Sequence, residues 1–554
     1  MLQTLIKSTE GHRLQLFILS LFINLLLLTP SWYMLEVYDR VINSQNHRTL
    51  LMLSIFVVFL YLVLEMLEWI RSLSMQELAT RFNLNLYSKV FDKIFQARVS
   101  QSPFGSPQAF ADLHTVEDMM NSPAVTALID IPFCIITFIL LSAIDMNLLF
   151  LSVIAAAAMA LITFANHRFV LPLLTQSNQS WMGSQRYLNN HLKNAEVIKS
   201  MGMLDRIQEK WNAKHSQFIG QQAVASFRAS QNMALSKFIQ LLQGSAILGL
   251  ACWLTLQGKI PQGGSLMILA SILGGRALAP IMMIMTHWRT YLNAKVSLGR
   301  LQEFFSKFPD KADTMALPPP EGQLTLEQVF FMSPLSQLKI INGVSFNLAT
   351  GGSLAVVGPT ASGKTTLAKL IMGVVPATGG KIKLDGADIF QWNKDQLGNF
   401  IGYLPQGVEL FDGTVGQNIA RFGELNMEAL HEAASVTGLT DFIETLPEKF
   451  DTAIGEDGTF LSSGQRQRVA LARAIYGGPK FVLLDEPNAN LDEAGDEALL
   501  KTLAYLKGKK TTVIVITHRP NVLSMLEHMM ILIEGQIYKF GPTQDVLNEL
   551  NPQK

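Results

Sequence analysis

Six apolar stretches fill the first half of this chain: Leu14–Leu35, Leu50–Leu67, Ala127–Ile144, Leu148–Phe164, Phe238–Leu256 and Ser265–Met285. About 20 apolar residues in a helix cross the hydrocarbon core of a bilayer. Backbone inside lipid must satisfy its own polar groups, which leaves the helix as the simplest solution. The runs are too many for the core helices of a soluble protein, and they predict six transmembrane spans. Composition agrees: 16% of the 554 residues are charged and 49% are hydrophobic, against about 25% charged in a typical soluble domain. That deficit makes a lipid bilayer the expected partner, and the formal net charge of zero gives no sign of nucleic-acid binding. Cys134 and Cys252 both lie inside apolar runs, which is neither a disulfide framework nor a metal spacing. The run from Leu14 is too long for a signal-peptide core, and no small-residue cleavage site follows it.

The spans are unevenly spaced. Long polar, helix-favouring stretches separate the second from the third and the fourth from the fifth; the other connections are short. This predicts two long helical hairpins extending from one membrane face, with tips around Asp112–Asn121 and Leu204–Trp211. The stretch Arg168–Lys237 carries more Lys and Arg than Asp and Glu, which favours the cytoplasm. Charges near membrane depth are Glu65, Glu68, Asp130 and Arg276. Such charges are costly unless they face a cavity or a partner. The first three read as interfacial residues near span ends. Arg276, well inside the sixth span, reads as part of a polar pathway or of an inter-helix pair. The expected organisation is a membrane domain over 1–305, a proline-bearing linker over 306–322 and a second domain over 323–554.

The second domain carries Gly358-Pro359-Thr360-Ala361-Ser362-Gly363-Lys364-Thr365, between the strand-like Ser353–Val357 and a helix-like run from Thr366. This is the P-loop pattern G-x-x-x-x-G-K-[ST]. Its glycines let backbone N–H groups curl around phosphate oxygens, and the helix N-terminus adds its dipole. Lys364 is placed to contact the β- and γ-phosphates of ATP, and Thr365 to offer its hydroxyl to Mg²⁺. Downstream, Phe481-Val482-Leu483-Leu484-Asp485-Glu486 reads as a buried parallel strand with its chemistry at the C-terminal end. Asp485 is the candidate Mg²⁺ partner and Glu486 the candidate for polarising the attacking water.

Between these lies Leu461-Ser462-Ser463-Gly464-Gln465, which resembles the signature motif of ABC transporters, usually L-S-G-G-Q, with Ser463 in place of the first glycine. The resemblance implies that Ser462, Ser463, Gly464 and Gln465 cover ATP bound to the P-loop of a second copy, with Thr366 completing the first copy's loop. Gln406 resembles the Q-loop glutamine, which senses Mg²⁺ and the membrane domain. His518 resembles the switch histidine. Asn490-Leu491-Asp492 resembles the D-loop, and Gly455-Glu456 the exporter loop that meets the coupling helices. The family's adenine-stacking aromatic falls at Ser333, so Phe331 is the candidate substitute.

Three membrane stretches narrow the resemblance. Tyr33–Val41, Asn194–Met203 and Ser271–Pro280 resemble the permease-ATPases of bacterial type I secretion, in the branch that secretes proteases, as does Glu486–Asp492. The implied fold is a type I ABC exporter: an α-helical membrane domain with six transmembrane helices plus an α/β P-loop NTPase domain. The resemblance further implies a homodimer in the bacterial inner membrane. It implies a secreted protein substrate that is unfolded and bears a C-terminal signal, a periplasmic membrane-fusion adaptor and an outer-membrane channel. With the first span beginning at Leu14, there is no room before it for the peptidase-like domain of other secretion exporters. A lipid or drug exporter of the same layout is the alternative, and an ATP-gated channel or regulator the alternative from another class.

Overall fold

A computed structural model describes residues 10–550 apart from 101, 261–262, 310–316, 334–336, 456–457, 490 and 492. The chain divides into two compact units, Met1–Pro309 and Asp310–Lys554.

The first unit is helical. Among the described residues, six helical segments are long and apolar enough to span a membrane: Leu14–Ile42, His47–Val99, Pro123–Ile144, Met146–Leu192, Leu204–Leu256 and Gly264–Thr286. The helices of this unit are α1 (Glu10–Leu26) with its continuation Thr29–Glu36, α2 (His47–Val99), α3 (Gln108–Met120), α4 (Pro123–Asp130), α5 (Cys134–Ile144), α6 (Met146–Leu192), α7 (Ala195–Ser200), α8 (Leu204–Leu256), α9 (Gly263–Thr286) and α10 (Trp288–Lys307). Each predicted span falls inside one of the six segments. Helix α2 has 53 residues and is therefore about 80 Å long, well beyond the roughly 30 Å of hydrocarbon. Helices α6 and α8, of 47 and 53 residues, project in the same way and pair along their length. The first span is broken after Leu26 and ends in a π-helical turn, Val37–Ile42. The third is broken by a 3₁₀ turn at Ile131–Phe133, where Pro132 supplies no N–H.

Both hairpin tips differ from their predicted positions. Helix α2 ends at Val99, and the chain turns before Gln108. Gly105 packs so closely there that a Cβ would lie 2.5 Å from the Arg98 Cα. Asp112–Asn121 belongs instead to the returning helix α3 and its C-cap, whose Leu113, Val116 and Met119 are buried at helical spacing. The second tip is α7 and the Gly202 turn, with φ of 62° at that glycine. Leu204–Trp211 forms the first turns of α8. Proline and glycine set these reversals, whereas both predicted tips carry uninterrupted helical patterns.

Asp112 is the anchor of the first hairpin. Its carboxylate is buried and accepts bonds from Arg300 Nε at 2.9 Å and Ser297 Oγ at 3.1 Å, which tie α3 to α10. Among the spans, Asp130 is not a bare interfacial residue. Its Oδ1 accepts from Asn24 Nδ2 at 2.8 Å and Arg71 Nη1 at 3.1 Å. The inter-helix pair that the sequence suggested for Arg276 is made by Arg71, a residue the sequence reading passed over.

Among the described residues, the second unit forms two sheets. One is antiparallel, ordered β2 (Lys339–Leu348), β1 (Leu324–Met332), β4 (Gly379–Leu384), β5 (Ala387–Asp388). The other is ordered β10 (Gln536–Pro542), β9 (His528–Ile533), β3 (Ser353–Val357), β8 (Thr512–Ile516), β7 (Phe481–Asp485), β6 (Ile401–Leu404), and is parallel except for β10. Strand alternation divides the core into two layers. Val482, Leu484, Val513 and Val515 face one, with helix α12 (Ser463–Ile475); Phe481, Leu483, Ile514 and Ile516 face the other, with helix α11 (Lys364–Ile371). Strands buried on both faces read as continuous apolar runs, as β7 and β8 do.

Removing one partner from a buried ion pair costs about 3–5 kcal/mol, while replacing both with apolar groups costs far less. Asp112→Ala should therefore lower the thermal midpoint sharply, and the double change Asp112→Leu with Arg300→Met should restore much of it. Differential scanning fluorimetry of the solubilised protein checks both. Equal loss in the two variants would show that the pair is not what holds α3 to α10.

Candidate nucleotide site

Four parallel strands end on the same edge of the large sheet, side by side in the order β3, β8, β7, β6. Ligands of open α/β sheets bind at the carboxyl ends of such strands. Beyond β3 comes the loop Gly358–Gly363; beyond β8, Thr517 and His518; beyond β7, Glu486; beyond β6, Pro405 and Gln406. The order in the sheet brings together residues far apart in sequence.

The loop needs its glycines for definable reasons. A Cβ at Gly358 would meet the Leu532 carbonyl oxygen at 2.2 Å. Gly363 has φ of 99° and caps α11. Ala361 takes φ of 66°, an uncommon conformation for a residue with a Cβ. Pro359, Thr360 and Ala361 are exposed, and Ser362 and Lys364 are buried. Lys364 Nζ donates to the carbonyls of Gly358 at 2.7 Å and Pro359 at 2.8 Å, so its ammonium lies across the mouth of its own loop. Thr366 is half-buried on the first turn of α11.

The acidic end of β7 meets this loop. Asp485 is fully buried, and neither of its carboxylate oxygens has a hydrogen-bond partner of good geometry. Burial pushes its carboxyl above the usual carboxylate range. The Thr365 hydroxyl partly offsets this, Glu486 adds to it, and Lys364 and Lys369 pull the other way. The same burial, reinforced by Asp485, pushes the Tyr403 hydroxyl up to about 12. Thr365 Oγ1 lies 3.5 Å from Gln406 Oε1, and Gln406 Nε2 donates to Glu486 Oε2 at 2.9 Å. Glu486 itself has φ of 50°, a strained value for a residue of its kind that is held by the Glu486 N–H to Ile516 carbonyl bond of 2.9 Å. Such strain persists only where the surroundings impose it. Thr365, Gln406, Asp485 and Glu486 thus form one cluster of oxygen and amide groups. Oxygen donors of this kind suit a hard divalent cation.

His518 follows β8 and is exposed. Its neighbour Thr517 donates to Asn488 Oδ1 at 3.1 Å and accepts from the Arg519 N–H at 3.2 Å, which ties the turn after β8 to the one after β7. Ser462 caps α12: its hydroxyl oxygen accepts from the Gln465 N–H at 3.2 Å while Gln465 Oε1 accepts from the Ser462 N–H at 2.8 Å. Ser463 and Gly464 form the first turn of that helix. Helices α11 and α12 pack on opposite layers of the sheet, so the structure does not bring Ser462–Gln465 onto the phosphate loop of the same chain. Phe331 is half-buried on β1 and packs against the core layer that holds α11, and Ser333 closes the β1–β2 turn through its N–H to Leu338 at 2.9 Å. Asn490, Asp492 and Glu456 lie outside the described residues, as does part of the predicted linker.

Sequence reading missed two supports. Gln467 is buried on α12 and donates to the Pro487 carbonyl at 2.9 Å, which joins the signature helix to the turn carrying Glu486. A polar residue in phase with Ala470 and Leu471 on a helix was the available signal. Arg421 donates to the carbonyls of Gly398 at 2.5 Å, Ile401 at 2.9 Å and Arg473 at 3.0 Å, clamping the start of β6 to the C-terminus of α12. No spacing rule identifies a guanidinium used in this way.

Two family profiles match: "ABC transporter" over residues 341–489 and "ABC transporter transmembrane region" over 14–276. The chain is 35% identical to the type I secretion system ATP-binding protein PrsD of Rhizobium meliloti, over 97% of this chain and 92% of that protein. It is 26% identical to the transport/processing ATP-binding protein ComA of Streptococcus pneumoniae, over 98% of this chain and 76% of that one. Against the leukotoxin translocation ATP-binding protein LktB of Mannheimia haemolytica it is 24% identical over 97% and 76%. In fold it is similar to a bacterial Atm1-family ABC exporter with ATP bound, at a TM-score of 0.83 and 20% identity over 98% of this chain and 96% of that one. A six-helix membrane region and a P-loop domain in one chain, matched together by these relatives, place it in the ABC transporters, as a multi-pass membrane protein of type I exporter fold that couples ATP hydrolysis to transport and belongs with the type I secretion ATP-binding proteins.

Proposed function

We propose that this protein is the inner-membrane ATPase of a type I secretion system and exports an unfolded polypeptide bearing a C-terminal signal. The observation that carries this is similarity to PrsD across both the membrane half and the ATPase half. In this reading it works as a homodimer and hands its cargo to a periplasmic membrane-fusion adaptor and an outer-membrane channel.

The site supports a division of roles. The backbone N–H groups of Gly358–Thr366 cradle the phosphates, and Lys364, already inside the loop, neutralises the β- and γ-oxygens. Phe331 is the candidate for contact with the base. Thr365, Gln406 and Asp485 are the residues that would hold Mg²⁺; the unpartnered carboxylate of Asp485 is the feature that fits it best. When bound, that ion would neutralise charge on the transferring phosphoryl group. Glu486, oriented by Gln406, accepts a hydrogen bond from the attacking water and draws its proton away. His518 contacts the γ-phosphate from the neighbouring strand end. Because α12 lies across the sheet from α11, Ser462, Ser463, Gly464 and Gln465 are assigned to the ATP of the partner subunit. The Ser462 oxygen accepts from the Gln465 N–H, which leaves its O–H free to donate to a phosphate. Asp492 belongs to the same shared interface.

Glu486→Gln should retain ATP binding and lower the steady-state ATPase rate by at least about 100-fold, with a dimer that persists on size exclusion. Turnover at the wild-type rate would remove Glu486 from this role. Lys364→Ala should lose nucleotide binding in a fluorescent-ATP assay.

Asp485 gives a prediction of opposite sign for stability and function. Its folded pKa is raised, so the buried ionised form destabilises the nucleotide-free protein. That penalty is absent at low pH and grows as pH rises through the ordinary carboxylate pKa towards the raised one. Asp485→Asn should therefore raise the thermal midpoint at neutral pH and flatten its dependence on pH, while abolishing Mg²⁺-dependent ATPase activity. Thermal scans across pH without nucleotide, with ATPase assays in parallel, test both halves. A lower midpoint for Asp485→Asn would contradict the assignment.

A further inference from the structure

The first unit contains a cavity of about 360 Å³ lined by residues from four of its six spans. The lining includes four charged side chains and one amide, all on segments long and apolar enough to span a membrane: Asn24 on α1, Glu68 and Arg71 on α2, Asp130 on α4 and Arg276 on α9. Their pairing is uneven. Asp130 takes Asn24 and both its oxygens lie within 3.2 Å of Arg71 Nη1, which also reaches Ser20 Oγ at 3.3 Å. Glu68 reaches the same guanidinium only at 3.9 Å. Arg276 makes no hydrogen bond or ion pair with any of the described residues.

Two carboxylates therefore share one guanidinium, and a second guanidinium faces the cavity with no anion. A charge held at membrane depth without a partner is costly and points to a pathway or a ligand. The backbone agrees. Pro280, four residues after Arg276 on α9, has no N–H to offer the Arg276 carbonyl, so that oxygen also lacks its helical donor. The volume is more than ten times the roughly 30 Å³ share of one water, enough for a carboxylate-bearing side chain.

We propose that this cavity is a carboxylate-binding subsite on the export route, in which Arg276 pairs with an acidic group of the polypeptide in transit. The proposal rests on the polypeptide-export reading above. The fork of a guanidinium matches a carboxylate in bidentate geometry. The acidic group could be an aspartate or glutamate side chain or the free C-terminus of the cargo, and the two sources share this chemistry. Glu68 lines the same cavity, and its negative charge repels an incoming carboxylate, so the binding is weak and reversible, as passage requires.

The test uses the full chain in lipid nanodiscs and fluorescent, flexible glycine-serine peptides. One peptide carries aspartates and an amidated C-terminus, one carries only a free C-terminal carboxylate, and one carries neither. Anisotropy should show tighter binding of whichever carboxylate peptide matches the source. Arg276→Gln should weaken that binding about tenfold, to the level of the neutral peptide. Arg276→Lys, which keeps the charge and controls for folding, should lose less. Glu68→Gln, which removes a repelling carboxylate from the cavity, should tighten it. Equal binding of all three peptides, or no change in Arg276→Gln, overturns the subsite and leaves polypeptide export standing. If no peptide binds the wild type or alters its ATPase rate, both the subsite and the polypeptide reading fall.

Discussion

A carboxylate buried without a hydrogen bond of good geometry is the constraint around which the nucleotide-binding unit is arranged. Asp485 ends β7 with neither oxygen in a well-formed hydrogen bond, and burial already holds its carboxyl above the normal range. A domain selected for stability alone would place an asparagine or an apolar residue there. The neighbouring groups show the same bias. Glu486 is held in a left-handed conformation, and Lys364 is buried against carbonyl oxygens of its own loop. Each local cost is absorbed by strands β3, β7 and β8, whose apolar residues are packed on both faces.

The membrane unit obeys a different solvent. Lipid offers backbone no partners, so every span is helical, and side-chain charges must find partners within the bundle. Arg71 and Asp130 do so across two spans, with Asn24 from a third. Outside the bilayer the same chemistry joins Asp112 to Arg300. The helices that carry these pairs run far past the hydrocarbon thickness, so α2, α6 and α8 are at once membrane spans and extramembrane struts.

Much of this was legible in the residue order because local rules are strong where chemistry is repetitive. The six spans were visible as apolar length, and the P-loop as glycines at a fixed spacing before Lys364 and Thr365. The strand ending in Asp485 and Glu486 was visible as an apolar run that stops at two acids. Less was legible where a feature depends on what packs against it. The hairpin tips were misplaced because Asp112–Asn121 and Leu204–Trp211 are polar enough to pass for loops, while the burial of Leu113, Val116 and Met119 in the first depends on partners such as α10. Arg71 went unnoticed because its value lies in Asp130, a neighbour from another span. Gln467 and Arg421 likewise act through carbonyls distant in sequence.

By itself, the sequence determined the solvent of each half, the nature of the phosphate loop and the family. These follow from local composition and spacing, which survive without knowledge of the fold. The tertiary structure decided which strand ends lie side by side, and therefore that Gln406, Asp485 and Glu486 gather around Thr365. It also decided that the signature helix lies across the sheet from the phosphate loop, and which of the membrane charges are paired. Those outcomes depend on strand order and helix contacts between segments remote in the chain, and neither hydrophobic period nor motif spacing encodes them.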